Sequence, residues 1–251
     1  MQQSNTYILV FSLVLTIVIG GLLALTSAGL APLQKQAIEL DTKSQILGAV
    51  MDLEPGMNIL ETYEERISSI VVNVDGEILE TDAEGNTLVA ENVNIKKQFK
   101  VPPENRLLPV FKFHEPNSDQ VDAYIFPVFG NGLWDNIWGY IALETDLVTI
   151  KGAKFDHAAE TPGLGARITE IQVQDRFRGK KIYNDLGELV SVSMLKRENN
   201  AEEFLDPHHV DGMSGATMTS KGVNDMLNKY FGYYQAYMDK VSENNDMAFA
   251  N

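Results

Sequence analysis

The chain of 251 residues contains no cysteine. That excludes disulfides, thiolate metal sites, Cys-ligated iron–sulfur clusters and a lipid-modified N-terminal cysteine. It leaves the redox compartment open, because a cysteine-free chain suits oxidising and reducing surroundings alike. Charge is also missing where it would be informative: no Lys, Arg, Asp or Glu precedes Lys35, so the whole formal net charge of −15 falls on residues 35–251. A body this acidic repels phosphate backbones, which argues against nucleic-acid binding, and it would be repelled by an anionic membrane surface as well. No G-x-G-x-x-G lies in a βαβ setting and no Walker A pattern occurs, so neither an NADH nor an ATP site is expected. No Ser/His/Asp grouping supports a catalytic reading. His157 and Glu160 are spaced for metal ligation but lack a third ligand, so no metal site is expected.

What the chain has in quantity is apolar residues, 44% of the total, enough for a packed core. The first group of them is the charge-free stretch from Tyr7 to Leu25, which matches the hydrocarbon thickness of a bilayer at about 1.5 Å per residue. Thr26-Ser27-Ala28 offers small residues for signal cleavage. However, the leading MQQSNT has no positive side chain and the apolar stretch exceeds the usual signal-peptide core. The reading is therefore a retained span, with residues 1–32 as a transmembrane anchor and 33–251 as the body. Lys35 and Lys43, counted naively, would put that body in the cytoplasm, but long domains cross largely regardless of charge.

In the body, Leu33, Ala37, Leu40, Leu47 and Val50 give a loose helical pattern that Pro55-Gly56 breaks. Residues 70–74 and 77–79 read as a hairpin about Asp75-Gly76. Residues 94–109 read as a loop. Residues 121–128 and 137–143 read as strands joined through Gly130-Asn131-Gly132, with two more strands over 166–173 and 189–195. Val223, Met226, Leu227, Tyr230, Tyr233, Tyr234 and Tyr237 recur at helical spacing, and their expected use is packing on the sheet. Strands in the middle and helices at both ends fit an α+β domain with a mostly antiparallel sheet.

Two stretches could carry chemistry. Asp211-Gly-Met-Ser-Gly-Ala-Thr217 is a small-residue loop that ends on a hydroxyl, and a helical pattern follows it. Read from the residues alone it is a turn ahead of a helix, with Thr219 or Ser220 expected to cap the first N–H groups. A helix start also favours a nearby phosphate, and Gly212 and Gly215 would let a large group approach closely. Glu160-Thr-Pro-Gly-Leu-Gly165 is expected to make a type II turn with Pro then Gly at its centre. His157 reads as structural, His208-His209 as surface or loop residues, and Trp138 as core packing.

Both stretches, in this order behind a lone N-terminal span and ahead of a closing helix, resemble the FMN-binding subunits of the Na+-translocating NADH:quinone oxidoreductase and its relatives, with the covalent-FMN subunit of that enzyme the nearest match. The resemblance implies covalent FMN joined by a phosphoester bond to Thr217, within a motif that includes Asp211, Ser214, Gly215 and Ala216. It implies that Glu160, Thr161, Gly163 and Leu164 lie at the flavin. It further implies a flavin transferase for maturation, electrons relayed between sister subunits, and a single-pass inner-membrane protein with its body outside the cytoplasm. Phe177-Arg178-Gly179-Lys180 also resembles a family segment, of no assigned role. Two alternatives stay open: the homologous flavin-tethered electron-transport subunit of the Rnf-type complex, and a membrane-anchored sensor with no redox role.

Overall fold

In a computed structural model the described residues are 4–82 and 84–249. The first helix, α1 (Asn5–Gly48), runs unbroken through Pro32. Its apolar side chains from Tyr7 to Leu25 are all exposed, and it is long and apolar enough to cross a membrane. The charge-free stretch put a boundary after residue 32, but the chain divides into compact units at Met1–Lys43 and Ser44–Asn251. A helix continues past the point where its side chains stop being apolar, because backbone bonding does not depend on them.

The second unit is built on a six-stranded antiparallel sheet, in the order β2-β1-β3-β4-β5-β6. The strands are β1 (Ile67–Val72), β2 (Ile78–Leu79), β3 (Leu108–His114), β4 (Val121–Asn131), β5 (Asn136–Glu144) and β6 (Ile150–His157). Alternation along β4 sends Tyr124, Phe126 and Val128 to one face, and Ala123 and Ile125 to the other. Both faces are buried, so the strand reads as an almost continuous apolar run. The first face is covered by α5 (Thr217–Phe249) through Val223, Met226, Leu227, Tyr230, Phe231 and Tyr234. The second packs Ile46 and Leu47 with Tyr63 of α2 (Ile59–Arg66). The α+β class and the packing use of the tyrosines are as the sequence indicated.

One of those tyrosines also closes a gap in the sheet. The β3–β4 ladder pairs Phe111 with Ile125, and continuing that register sets Pro109 opposite Pro127. Neither proline has an N–H to donate, so both carbonyls face an interrupted ladder. The fully buried Tyr234 hydroxyl donates to Pro109 O at 2.9 Å and to Pro127 O at 3.3 Å. Burial pushes its phenol well above the usual range.

Local side-chain chemistry shapes the turns. Asn73, Asp82 and Asn184 each accept, through one Oδ1, the N–H groups two and four residues on. The first of these makes the expected hairpin, with Val72 paired to Ile78.

Three expectations need correction. Residues 166–173 are not a strand: a 3₁₀ turn over Gly165–Thr169 leads into α4 (Ile171–Gln174). Ile168 and Val173 are buried there, but Ile171, which the alternating reading placed inside, is 65% exposed. Residues 189–195 contribute only β7 (Ser193–Met194), which pairs in parallel with β8 (His209–Val210). Residues 94–109 hold a short α3 (Ile95–Gln98) and the start of β3, and Gly130 and Asn131 belong to β4, which leaves 132–135 as the turn.

Candidate functional site

The two motif loops are built alike. In each, a β-turn is closed by an N–H of the fourth residue on the carbonyl of the first: Leu164 to Thr161 at 3.1 Å, and Ala216 to Met213 at 3.0 Å. Each has glycine in third place with a positive φ, 74° at Gly163 and 78° at Gly215. That conformation is open to glycine at no steric cost, and it is what a type II turn asks of its third residue. The two turns touch: a Cβ on Gly215 would lie 2.8 Å from Leu164 Cδ2.

Below them, one carboxylate joins three segments. Glu160 is 5% exposed. Its Oε1 accepts the backbone N–H groups of Leu133 at 2.8 Å and Trp134 at 3.0 Å, and its Oε2 accepts the Thr219 hydroxyl at 2.6 Å. The β4–β5 turn, the Thr161–Leu164 turn and the first turn of α5 are thereby held together. Charge-assisted bonds of this kind are about twice as strong as neutral ones. Glu160 thus points inward, and it does not line the exposed surface on which Thr161, Gly163 and Leu164 lie. Its own N–H donates to His157 Nδ1 at 3.2 Å, which fits the structural reading of that histidine.

The expected caps are displaced by the same contact. α5 begins at Thr217, its first intrahelical bond runs from Ser220 N to Ala216 O at 3.0 Å, and Ala216 occupies the capping position. A buried carboxylate needs donors more than an exposed helix start does, so Thr219 bonds Glu160 and does not cap. The N–H groups of Thr217, Met218 and Thr219 are the helix's unpaired first-turn donors. Thr217 itself is exposed, between the exposed Gly215 and Met218 and the buried Ala216.

Four exposed apolar side chains flank this corner: Leu133, Trp134, Leu164 and Met218. The Trp134 indole N–H donates to Thr161 Oγ1 at 3.1 Å and fixes the ring over the turn. Sequence reading missed Trp134 and weighed Trp138, which is half-buried against the core. The available signal was an adjacent Leu-Trp pair inside a Gly/Asn/Asp turn, where apolar residues have no core to enter.

Asp211 holds the loop from its far side, accepting Asn200 N at 3.0 Å, Asn200 Nδ2 at 2.8 Å and Asn199 N at 3.2 Å. Burial pushes its carboxyl up, but these donors more than offset it and hold it below the usual carboxylate range. His208 Nδ1 meets Lys181 O and His209 Nδ1 meets Asp206 Oδ1, both at 2.8 Å. Asp206 and Lys181 therefore already occupy one ring nitrogen of each.

The FMN-binding domain family matches residues 132–231, a span that begins at the β4–β5 turn and includes both motif loops. The NqrC protein of the Na+-translocating NADH-quinone reductase of Pseudomonas aeruginosa is 30% identical over 248 residues, covering 92% of this chain and 93% of that protein. The chain belongs to the NqrC family of the Na+-translocating NADH-quinone reductase. The crystal structure of the Parabacteroides distasonis family member superposes with a TM-score of 0.67 at 35% identity, covering 83% of this chain and 96% of that one. Shewanella oneidensis NqrC gives the same TM-score at 28% identity, over 82% of this chain and 99% of that one.

The clamp beneath the loops carries a testable consequence. A Cβ at Gly165 would overlap both the Glu160 carboxylate and the Thr219 hydroxyl. Gly165→Ala is expected to destabilise the body by about 1–3 kcal/mol through overpacking. Thermal unfolding followed by circular dichroism should show a Tm lower by about 2–4 °C per kcal/mol.

Proposed function

We propose that this protein is the FMN-carrying electron-transfer subunit of a membrane-bound, Na+-pumping NADH:quinone oxidoreductase, and that FMN is held by a phosphoester bond to Thr217. The observation that carries the reading is the Glu160 carboxylate, which binds the Thr161–Leu164 turn and the Thr217 helix start into one exposed corner. That corner fits FMN at both ends. The exposed Thr217 hydroxyl stands among first-turn N–H donors that favour a phosphate. Trp134, Leu164 and Met218 offer exposed apolar surface to an aromatic ring system, and the turn's backbone N–H groups can bond its carbonyls.

Attachment by a separate transferase from FAD and Mg2+ balances simply. The Thr217 Oγ–P bond forms, the pyrophosphate P–O bond breaks, AMP leaves, and the hydroxyl proton passes to base. Bound FMN supplies one- and two-electron chemistry, so the subunit can stand between carriers of different type in sister subunits. The tether prevents loss by dissociation, which matters for a body placed outside the cytoplasm by a retained α1 span in the inner membrane.

The test is intact-mass spectrometry of the chain from its native membranes, with a boiled denaturing gel viewed under ultraviolet light. A mass increase of one FMN phosphoryl group and a fluorescent band are expected. An unmodified mass from the native host would overturn the reading; a host without the transferase cannot serve as the source.

A further inference from the structure

Glu198 belongs to neither motif, yet four donors meet on its carboxylate. Arg167 gives Nη2 to Oε1 at 2.7 Å and Nη1 to Oε2 at 3.0 Å, and Arg176 gives Nη2 to Oε1 at 2.8 Å. The fourth is the Ser214 backbone N–H, 3.2 Å from Oε2. The three side chains are mostly buried, at 16–22% exposure. Arg176 turns its other arm to the same loop, with Nη1 at 3.2 Å from Asp211 O and 2.5 Å from Gly212 O. Hydrogen bonds from Arg167 and then Arg176 hold the Glu198 carboxyl well below the usual carboxylate range, so it stays ionised wherever the fold persists.

The loop has few other means of holding its shape. Gly212, Ser214, Gly215 and Ala216 have almost no side chain to pack, and of the five residues 212–216 only Met213 buries a large one. Fixing each backbone residue costs about 1–2 kcal/mol of conformational entropy. Here the compensating bonds come from segment 197–200: Arg197 O accepts Gly212 N at 2.9 Å, the Glu198 carboxylate accepts Ser214 N, and Asn199 and Asn200 hold Asp211. Gly212 lies so close to this segment that a Cβ would overlap Leu195 O. Of the contacts from this segment, the one made by Glu198 acts on the turn itself, whose Ala216 is followed directly by Thr217.

We propose that Glu198, braced by Arg167 and Arg176, is a positioning residue for covalent flavin attachment: it sets the Met213–Ala216 turn so that the Thr217 hydroxyl is presented to the transferase. This rests on the reading of Thr217 as the acceptor. Glu198→Gln keeps an acceptor but turns an amide toward one arginine, and the turn loses its fixed anchor. A misplacement of about 1 Å at a reacting group can cost about a hundredfold in rate.

The experiment expresses the full-length chain in membranes together with the flavin transferase and follows flavin incorporation over time by in-gel fluorescence, normalised to chain by immunoblot. Thermal unfolding of the unlabelled chain is recorded for each variant. Glu198→Gln is expected to label about tenfold or more slowly while still folded at the labelling temperature, and Glu198→Asp is expected to recover part of the rate. A merely structural role would lower Tm and leave the labelling rate of folded chain unchanged. If Glu198→Gln does not fold, Arg176→Lys decides by the same criterion, since a single ammonium cannot hold both loop carbonyls and Glu198. Wild-type rates in the folded variant would overturn the proposal. Absence of flavin from the wild type, or its presence on Thr217→Val, would overturn the acceptor reading and the positioning role with it.

Discussion

Thr217→Val is expected to leave the chain folded in the membrane and free of covalent flavin. Valine matches threonine in shape and β-branching, so helix propensity at the first position of α5 changes little. The side chain is exposed and no hydrogen bond within the protein depends on its hydroxyl among the described residues, so the cost should fall within about 0.5 kcal/mol. Only the attacking oxygen is lost. Native-host membranes expressing this variant should give a dark band at the height of the wild-type fluorescent one, with equal immunoblot intensity and an unmodified mass. NADH-driven quinone reduction by the complex should fall to background, because a missing carrier interrupts the relay and does not merely slow it. A fluorescent band from Thr217→Val would place the attachment on another residue and remove the chemical basis of the proposed role.

The parts of the fold legible in the sequence are those whose pattern is local. β4 and β5 announce themselves through long β-rich runs on either side of a Gly/Asn turn, and α5 through apolar residues at spacings of three and four. β3 is hidden because Pro109 sits near its start, and a proline inside a run ordinarily demotes a strand. Its compensation, the Tyr234 hydroxyl, lies 125 residues away in sequence. β6 is masked by Lys151, Gly152 and Lys154, whose reasons are tertiary: Lys151 pairs with Asp122 at 2.7 Å, and a Cβ at Gly152 would overlap Ala49 O. Residues 166–173 mislead because two apolar side chains five apart suit a 3₁₀ turn followed by a helical turn as well as they suit a strand. At the site, the turn glycines and Thr217 are legible because turn chemistry is local. The exposure of Trp134 and the meeting of Arg167, Arg176 and Glu198 are not, because each depends on segments 22 to 31 residues apart or more.

Glu160→Ala is expected to be the most damaging single substitution at the site. It leaves two backbone N–H groups and the Thr219 hydroxyl without their acceptor, in a place 5% exposed. An unsatisfied buried donor costs about 1–3 kcal/mol, and water entering the vacated space offsets part of the total, so a loss of about 3–5 kcal/mol follows. For a body of this size that lowers Tm by roughly 10 °C or more. Glu160→Gln separates hydrogen bonding from charge. Its amide oxygen can still accept Leu133 N and Trp134 N, and its NH₂ can donate to a Thr219 hydroxyl that has rotated to accept. About 1–2 kcal/mol is the expected cost of exchanging charge-assisted bonds for neutral ones. Below the melting temperature of both variants, Glu160→Gln should still incorporate flavin, whereas Glu160→Ala should incorporate it slowly, because the Trp134 turn and the Thr217 helix start are no longer held to a common point. Equal Tm and equal labelling for the two variants would show that Glu160 is not the link between the motifs, and the shared corner on which the functional reading stands would then need another cause.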